Sequence, residues 1–401
     1  MHDTQNKKQG IIEKIVQLID ERVETSQCHH IQQLARRYCQ ESITRELVQI
    51  DIENLYGGVM CLWELIQKRL PNKPEVRVYN PNYEEHYWQT THTIIDVVTD
   101  NMPFLMSSLS MELARHEYTI HMTTHPVLCI ERDKKGILKG ITDSDQVNKN
   151  ISMEAVMRFE IDHQSEPEVL ESIKYHVHNV LKDVQDMVND WQFMQGTLRD
   201  IIDQLTVQKL PISEEEKSES LDFLAWLTNN NFTFVGYRAY ELAVDPTSQQ
   251  CTLTLTQNSG LGIFRYRNKP ELTHRFVKLS PHISSLALQP FLLVITKSTV
   301  RSTVHRPVNL DYLGIKQFDN QGNVIGEHRF FGLYSSAAYI ARLNEIPLLR
   351  QKAENLMTMI NVLPDSHKGK TLQHILNTYP RDEMLQANVN ELHQHIAGIL
   401  E

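Results

Sequence analysis

The stretch from Lys297 to Pro307, KSTVRSTVHRP, gathers cations and hydroxyl groups in a chain whose formal net charge is −10. Arginine guanidinium groups offer paired N–H donors that match a carboxylate or a phosphate, and serine hydroxyls can complete the shell. Charge-assisted hydrogen bonds of this kind contribute roughly 1.5–3 kcal/mol each. This cationic segment is therefore a candidate site for an anion or effector. Its candidate residues are Lys297, Ser298, Arg301, Ser302, His305 and Arg306.

The cationic segment also has a structural interpretation, in which its charges are neutralised within the fold. Candidate carboxylate partners are Asp311, Glu241, Asp319 and Glu327. Internal ion pairs are a common reason for clustered charges in an acidic chain. We favour ion pairs that hold the end of a strand predicted at Phe291–Thr296, and we keep anion binding as the alternative.

Two glycine-containing motifs resemble cofactor loops but depart from the required pattern. GLGIFR, Gly260–Arg265, has arginine where a dinucleotide fingerprint has its third glycine, and no long helix follows it. PDSHKGKT, Pro364–Thr371, ends like a phosphate loop but begins with proline and follows a helical pattern. We interpret the first as a turn between strands and the second as a loop before a helix capped by Thr371. No cofactor site is predicted in this chain.

The 19 histidines do not show the spacing of a metal site. His176 and His178 lie two residues apart on a predicted helix, as do His393 and His395, and residues at that spacing do not face each other. The CHH run at 28–30 lacks the spacing of a structural zinc site. Neither G-x-S-x-G nor H-E-x-x-H occurs. We therefore predict no metal ligand and no catalytic residue.

Composition is that of an ordinary globular chain. Its 401 residues are 41% apolar and 22% charged, which indicates two to three domains. A pI near 6.0 lacks the basic footprint of a nucleic-acid-binding protein. No apolar run reaches the roughly 18 residues of a membrane helix, and the start resembles no signal peptide. Five scattered cysteines favour a reducing compartment, so we predict a cytoplasmic protein with no nucleic-acid or membrane partner.

Hydrophobic periodicity places the first half of the chain on helices and then on a mixed region. Helical spacing runs from Gly10 to Leu70 and stops at Pro71–Pro74. Thr93–Val98 is typical of a buried strand, and Pro103 is expected in the first turn of a helix. Further strands are predicted at Tyr118–Ile130, at Ile137–Ile141 and, with period two, through Ala155, Met157, Phe159 and Ile161. A long helix follows with an apolar stripe of Leu170, Ile173, Val177, Val180, Val184, Met187 and Trp191.

The second half repeats the mixture of helix and strand. Ser213 and Glu216 form a capping box after a boundary near Pro211. About five antiparallel strands are predicted, at Phe232–Leu242, Cys251–Thr256, Phe291–Thr296, Tyr312–Phe318 and Asn323–Leu333, the last two joined by a turn at Asp319–Gly322. From Pro347 the pattern is helical and reaches Glu401 without a stop signal, so we expect the natural chain to continue.

These elements predict a multidomain α+β protein, with helices on one face of antiparallel sheets and helical segments at the flanks. The predicted segments are a helical region 1–72, an α+β domain 73–210, a second α+β domain 211–346 and a helical segment 347–401.

Long and chemically unusual strings occur between Leu55 and Leu385. They include NLYGGVMCLWELIQKR, VRVYNPNYEEHYWQTTHTIIDVVTDNMPFLMSSLSMEL, FLAWLTNNNFTFVGYRAYEL, KSTVRSTVHRPVNLDYLGIKQFD, FFGLYSSAAY, LLRQKAENLM and SHKGKTLQHILNTYPRDEML. In content and order they resemble the amino-terminal region of the large bacterial NAD-specific glutamate dehydrogenases. One departure is Ser107, where an acidic residue is expected.

The resemblance implies a non-catalytic leader of ACT-like and PAS-like modules with helical segments. For the full enzyme it implies oxidation of L-glutamate with NAD and water to 2-oxoglutarate, ammonium and NADH. The catalytic lysine and the NAD site would then lie outside this chain. For this chain it implies regulation by an amino-acid effector and assembly as a homo-oligomer.

Two further interpretations are kept open. The chain could serve only as an assembly module without a small ligand, or it could act as a stand-alone sensor of amino acids. A self-sufficient enzyme of another type is the interpretation we favour least, because the search for cofactor and catalytic motifs is negative.

Overall fold

The computed structural model describes residues 2–142, 151–248, 250–265, 276–363 and 365–400. The chain divides into two compact units. Unit 1 comprises Met1–Gln185 with Thr303–Pro307, and unit 2 comprises Asp186–Ser302 with Val308–Glu401. The division into two units does not test the predicted domain boundaries. The domains 1–72, 73–210, 211–346 and 347–401 therefore stay a prediction.

Unit 1 begins with helices and continues with a sheet, as the hydrophobic pattern predicts. Its helices are α1 (His2–Arg22), α2 (Thr25–Glu41), α3 (Thr44–Leu47), α4 (Ile52–Ile66), α5 (Tyr83–His86), α6 (Leu105–Arg115) and the first part of α7 (Pro167–Val207). Its strands are β1 (Glu75–Tyr79), β2 (His92–Asp100), β3 (Ile120–Thr124), β4 (Val127–Arg132), β5 (Leu138–Thr142) and β6 (Ile151–Asp162). Helix α4 begins where the Asp51 carboxylate accepts the N–H of Glu53, which satisfies one of the unpaired donors at a helix start.

The sheet of unit 1 is antiparallel, with the strand order β1-β2-β6-β4-β5, and β3 also pairs with β6. Helices α1, α2 and α4 cover one face, where Val98 and Val156 pack with Ile15 and Leu34. Residues of β6 between Glu154 and Phe159 are buried without alternation, so the predicted period-two pattern is incomplete. A strand in the middle of a sheet with both faces covered has no solvent face, which removes the polar half of the pattern.

Three other predictions, two in unit 1 and one in the part of α7 that belongs to unit 2, are wrong in detail. The predicted strand Tyr118–Ile130 is two strands, β3 and β4, because Pro126 cannot donate to a strand ladder. Helix α6 begins at Leu105, so Pro103 precedes it rather than occupying its first turn. On α7 the side chain of Trp191 is 38% exposed, and Met194 continues the buried stripe in its place.

Unit 2 contains the second part of α7, a sheet and the carboxy-terminal helices. Its strands are β7 (Phe232–Val244), β8 (Cys251–Leu255), β9 (Leu261–Gly262), β10 (Phe276–Lys278), β11 (Leu293–Arg301), β12 (Asn309–Phe318) and β13 (Val324–Tyr334). Its other helices are α8 (Glu214–Trp226), α9 (Pro281–Leu288), α10 (Ser336–Ile340), α11 (Leu349–Ile360), α12 (His367–Thr378), α13 (Arg381–Gln386) and α14 (Val389–Leu400). The predicted cap is confirmed, since the Ser213 hydroxyl accepts the N–H of Glu216. Among the described helices, none combines the length and the apolar character of a membrane span.

The sheet of unit 2 follows the order β10-β8-β7-β13-β12-β11, and β9 also pairs with β7. Seven strands therefore replace the predicted five, because β9 and β10 are too short to show a hydrophobic period. The predicted hairpin is confirmed, with Gly322 at a φ of +86° in the turn between β12 and β13. Phe234, Ile315 and Phe330 face the main core, where they pack with residues of α7, α8 and the carboxy-terminal helices. The α+β fold class is thus confirmed in both units.

Buried charges are paired across the strands of unit 1. The Arg158 guanidinium holds both oxygens of Asp96, at 2.7 and 2.9 Å, and neither side chain is more than 3% exposed. Glu154 pairs with Arg69 at 2.9 Å and with Arg132 at 2.7 Å. Burial by itself would raise the pKa of Glu154, but the two arginines outweigh it and lower that pKa. These pairs allow charged residues to occupy strands without a solvent face.

We predict that Asp96→Leu destabilises unit 1 strongly, because it leaves the Arg158 guanidinium buried without its carboxylate. Breaking a buried pair from one side costs about 3–5 kcal/mol of the free energy of unfolding. Urea unfolding followed by tryptophan fluorescence measures this loss. The double variant Asp96→Leu with Arg158→Met should recover much of it, and a single variant as stable as the parent chain would contradict the prediction.

Candidate ligand site

The first five residues of the cationic segment, Lys297 to Arg301, are part of strand β11. Strand β11 was predicted to end at Thr296 but continues to Arg301. Lys297 lies opposite Asp311 and Arg301 lies opposite Asn309 on β12, with a register shift between them. The predicted strand end at Thr296 is therefore wrong, because pairing with β12 extends the ladder through the polar residues.

Lys297 is ion-paired within unit 2. Its ammonium contacts the carboxylate of Asp311, its cross-strand partner, and lies 2.8 Å from that of Asp382. Burial alone would lower the pKa of Lys297, but the hydrogen bonds and charges of the two carboxylates outweigh it and raise that pKa. Asp311 is 3% exposed, and its burial raises the pKa of its carboxyl group. For Lys297, the contacts support the structural interpretation.

The other candidate residues of the segment are distributed over both units. In unit 2, the Ser298 hydroxyl accepts the N–H of Val300, Arg301 is exposed, and Ser302 is 5% exposed with its N–H donated to Val308. His305 and Arg306 belong to unit 1. There, the His305 backbone N–H donates to the Ser108 hydroxyl at 3.0 Å, and burial together with the Arg306 charge lowers the pKa of the imidazole. Anion binding by the six residues stays a prediction.

The two glycine motifs are used for packing in unit 2. The turn after β9 is held by the buried Asp190 carboxylate, which pairs with Arg265 and accepts the N–H of Gly262 at 2.8 Å. Gly369 to Thr371 lies inside α12, whose cap is Ser366, so the predicted cap at Thr371 is wrong. Ser366 is the N-cap because its hydroxyl accepts the N–H of Gly369. Pro364 lies outside the described residues.

A pocket of about 270 Å³ lies on the other face of the unit 2 sheet, beneath α9. We call it the sheet pocket. Its apolar wall consists of Leu242, Leu253, Leu279, Ile283, Leu286, Ala287, Phe291, Val294 and Val324. Its polar wall consists of Tyr312, Lys316, Gly326, Glu327 and Arg329. Because side chains alternate along a strand, Tyr312 and Lys316 face the pocket while Leu313 and Ile315 face the main core.

Lys316 is the distinctive group of the sheet pocket. It is 4% exposed, and its ammonium donates to the carbonyl oxygens of Leu286 at 3.0 Å and Gln289 at 2.7 Å. The same ammonium lies 3.5 Å from the centre of the Phe291 ring. Burial lowers the pKa of Lys316 to about 8. Within the described residues, no carboxylate forms a salt bridge with it, although the cross-strand residue is Glu327.

The Glu327 carboxylate already accepts hydrogen bonds from two other side chains. Tyr312 donates its hydroxyl to the carboxylate at 2.5 Å, and Arg329 donates Nε–H to it at 2.8 Å. Gly314 lies between these side chains, and a Cβ there would collide with the Glu327 carboxylate and approach the Tyr312 ring. The glycine thus allows this pair to form beside Lys316. Among the described residues, the pocket thus holds one ion pair and one ammonium that no carboxylate contacts within salt-bridge distance.

Lys352 is a second lysine, part-buried, and its ammonium has a hydrogen-bond acceptor for each of its N–H groups. Lys352 on α11 also has its pKa lowered to about 8 by burial. It donates to three carbonyl oxygens, those of Met384 and Leu385 at 2.9 Å and that of Ala387 at 2.8 Å. An ammonium has three N–H donors, so Lys352 is saturated as a cap on the end of α13. Lys316 has two such partners and an open pocket beside it.

Unit 1 has a wider and more polar cleft of about 780 Å³. Two of its charged groups are paired internally. Arg158 is bound to Asp96, and Glu160 lies 3.2 Å from His92, which stacks on His121 at 4.3 Å.

Lys316 is not among the residues predicted from the sequence, and the reason is physical. A lysine on a strand normally points to solvent, and the pattern of β12 gives no sign that this face is covered. The cover is α9, whose position over the sheet is a tertiary property. The nearest local signal is Phe291 followed by the apolar β11, which predicts a buried strand next to that face.

Comparison with known proteins identifies the family. The family model described as glutamate dehydrogenase, ACT1 domain, matches residues 34–177, and the model described as glutamate dehydrogenase, helical motif 1, matches residues 346–401. The NAD-specific glutamate dehydrogenase of Halomonas elongata is 33% identical over 393 residues, which cover 98% of this chain and 24% of the relative. That of Pseudomonas aeruginosa is 35% identical over 347 residues, which cover 86% of this chain and 21% of the relative.

The chain belongs to the NAD-specific glutamate dehydrogenase family. It corresponds to the amino-terminal region of these large proteins, so the resemblance drawn from the sequence is confirmed. A more distant member, from Mycobacterium tuberculosis, is 24% identical over 301 residues, or 74% of this chain and 17% of the relative. The chain spans about a quarter or less of the length of these relatives. Much of unit 1 therefore coincides with the ACT1 match, and α11 to α14 lie in the helical motif.

We predict that Lys297→Met lowers the free energy of unfolding of unit 2, because it leaves Asp311 buried without its cation. The expected loss is about 1–3 kcal/mol. Since the pKa of Lys297 is raised, its contribution is present below the ordinary lysine pKa and is lost as the pH rises through the raised value. Urea unfolding at pH 7 measures the loss. Lys209→Met, which removes an exposed lysine of the same unit, is the control, and a larger effect there would contradict the assignment.

Proposed function

We propose that this chain is the regulatory and assembly region of a large NAD-dependent glutamate dehydrogenase. The full enzyme would convert L-glutamate, NAD and water to 2-oxoglutarate, ammonium and NADH in the cytoplasm. The relatives' names support that reaction, and the ACT1 match supports a regulatory role. Catalysis and NAD binding are assigned to parts of the enzyme beyond this chain, and homo-oligomer formation is part of the same proposal.

The effector site that the geometry supports best is the sheet pocket of unit 2. The observation that carries this assignment is Lys316, a buried ammonium that faces the pocket and forms no salt bridge with a carboxylate of the described residues. Holding a charge away from water is costly unless an opposite charge compensates it. A carboxylate that enters the pocket would supply this charge. The ligand should therefore be an anion, and a carboxylate suits a single ammonium.

The rest of the pocket restricts the ligand further. Its wall is mainly leucine, isoleucine, valine and phenylalanine, so the remainder of the ligand should be apolar. The volume of about 270 Å³ suits a molecule of the size of one amino acid. An amino acid with an apolar side chain, or the related 2-oxo acid, meets these requirements.

This proposal places the effector differently from the cationic segment. Lys297 is neutralised by Asp311 and Asp382, whereas Lys316 has no such partner among the described residues. A sheet with a helix over a ligand pocket also fits the second α+β domain, PAS-like or ACT-like, that we propose for 211–346. The rival roles are an assembly module without a small ligand and a stand-alone sensor.

We predict that the chain binds small carboxylates with apolar tails. Isothermal calorimetry at pH 7 with L-leucine, L-phenylalanine, 2-oxo-4-methylpentanoate and hexanoate should show one site, and leucinamide should bind weakly because it lacks the carboxylate. Lys316→Met should weaken binding by about tenfold to a hundredfold, the equivalent of one charge-assisted hydrogen bond.

The matched control is Lys209→Met, which removes an exposed lysine of the same unit and should leave binding unchanged. Loss of binding in Arg301→Ala but not in Lys316→Met would place the effector in the cationic segment. No heat from any compound would favour the assembly role. Glutamate-dependent NADH formation by this chain alone would overturn the proposal as a whole.

A further inference from the structure

Three metal-ligating side chains of unit 1 converge between two helices. They are Glu112 and His116 at the end of α6 and His176 on α7. Glu112 and His116 are four residues apart, so they share one face of the helix end. His176 comes from a part of the chain sixty residues further on, and only the packing of the fold brings it to this face. We call these residues the carboxylate–histidine cluster.

The distances in this cluster match those of a metal shell. Oε1 of Glu112 lies 3.2 Å from Nε2 of His116 and 3.5 Å from Nδ1 of His176. One ligand atom from each residue lies within 4.8 Å of the other two. A tetrahedral ion with bonds of about 2.0–2.1 Å places its ligand atoms about 3.3–3.4 Å apart. Two of the three separations are therefore close to those values before any ion enters.

Burial gives the cluster a closed side and an open side. The Glu112 side chain is 5% exposed, whereas those of His116 and His176 are 32% and 31% exposed. The two imidazole rings lie 4.2 Å apart with their planes tilted by 38°. An ion could thus approach from solvent on the exposed side of the two imidazoles and meet a buried carboxylate. Water could complete its coordination on the open side.

From this geometry we propose that Glu112, His116 and His176 form a binding site for a divalent transition-metal ion, with zinc as the reference ion. Two imidazoles and one carboxylate suit zinc, cobalt or nickel, whereas calcium and magnesium prefer oxygen ligands alone. The site joins the end of α6 to α7, so an ion there would stabilise the packing of these helices.

Arg115 provides an internal test of the proposal. Its guanidinium lies 2.6 Å from Oε1 of Glu112, the oxygen that faces both histidines, and its side chain is 51% exposed. A cation at this oxygen repels a metal ion and competes for the same lone pairs. Removing the arginine charge should therefore strengthen metal binding, whereas removing either imidazole should weaken it. Opposite effects from neighbouring residues are not expected of non-specific binding.

The sequence analysis missed this cluster because it compared histidines within one helix. His176 was paired with His178, which faces elsewhere and lies with Nδ1 2.8 Å from the Lys174 carbonyl oxygen. That difference supplies a matched control, since His178 is close in sequence and is also a part-buried histidine.

The test is calorimetric titration of the 401-residue chain with zinc chloride at pH 7.5, repeated with cobalt(II) and read by its visible absorption bands. We expect one tight site, about tenfold or more weaker in His116→Gln and His176→Gln. It should be unchanged in His178→Gln and tighter in Arg115→Gln. Circular dichroism melting of each variant checks folding, and zinc should raise the melting temperature of the parent chain only where the cluster is intact.

Two results would overturn the proposal. One is equal zinc binding by the parent chain and by the double variant His116→Gln with His176→Gln, which would assign the zinc to other histidines. The other is the absence of a saturable zinc site in the folded parent chain, which would leave Glu112 as a hydrogen-bonding partner of the two imidazoles only.

Discussion

Asp96 and Arg158 face each other across the two adjacent strands β2 and β6, and both are withdrawn from water. This pair shows the constraint under which both sheets are built. A charge on a strand with covered faces must be compensated by other groups of the protein, because water cannot reach it. Glu154 with its two arginines, and Lys297 with Asp311, obey the same rule in their own units. The placement of charges is therefore fixed by the covering of the sheets.

Lys316 is informative because it meets this constraint only in part. Two carbonyl oxygens and a phenyl ring stabilise its ammonium, but none of these three groups carries a full negative charge. Lys352 shows that a buried lysine can be saturated by carbonyl groups alone when it caps a helix end. The open space beside Lys316 thus distinguishes this lysine, which can meet a ligand, from a lysine that only stabilises the fold. Because α9 covers this space, the packing of α9 on the sheet forms the pocket on which the proposed regulatory role depends.

The sequence predicted those features that depend on neighbours along the chain. The Ser213 cap and the turn ending in Gly322 follow from local chemistry, and they are present. The end of β11 was misplaced, because cross-strand pairing with β12 decides it. Both sites proposed from the structure depend on long-range packing. Lys316 is covered by a helix about thirty residues away, and His176 meets Glu112 across 64 residues, so no local pattern could have paired them.

The account depends most on the charge state of Lys316. Carbon-13 chemical shifts of the lysine Cε atoms, followed from pH 6 to 11, measure its pKa directly, with Lys352 as the internal reference. We predict a pKa of about 8 for both lysines in the free chain, and a rise at Lys316 alone in the presence of saturating 2-oxo-4-methylpentanoate, because a bound carboxylate stabilises the ammonium. A Lys316 that titrates near the ordinary lysine value of about 10.4, or that keeps its pKa while this compound binds, would contradict the account.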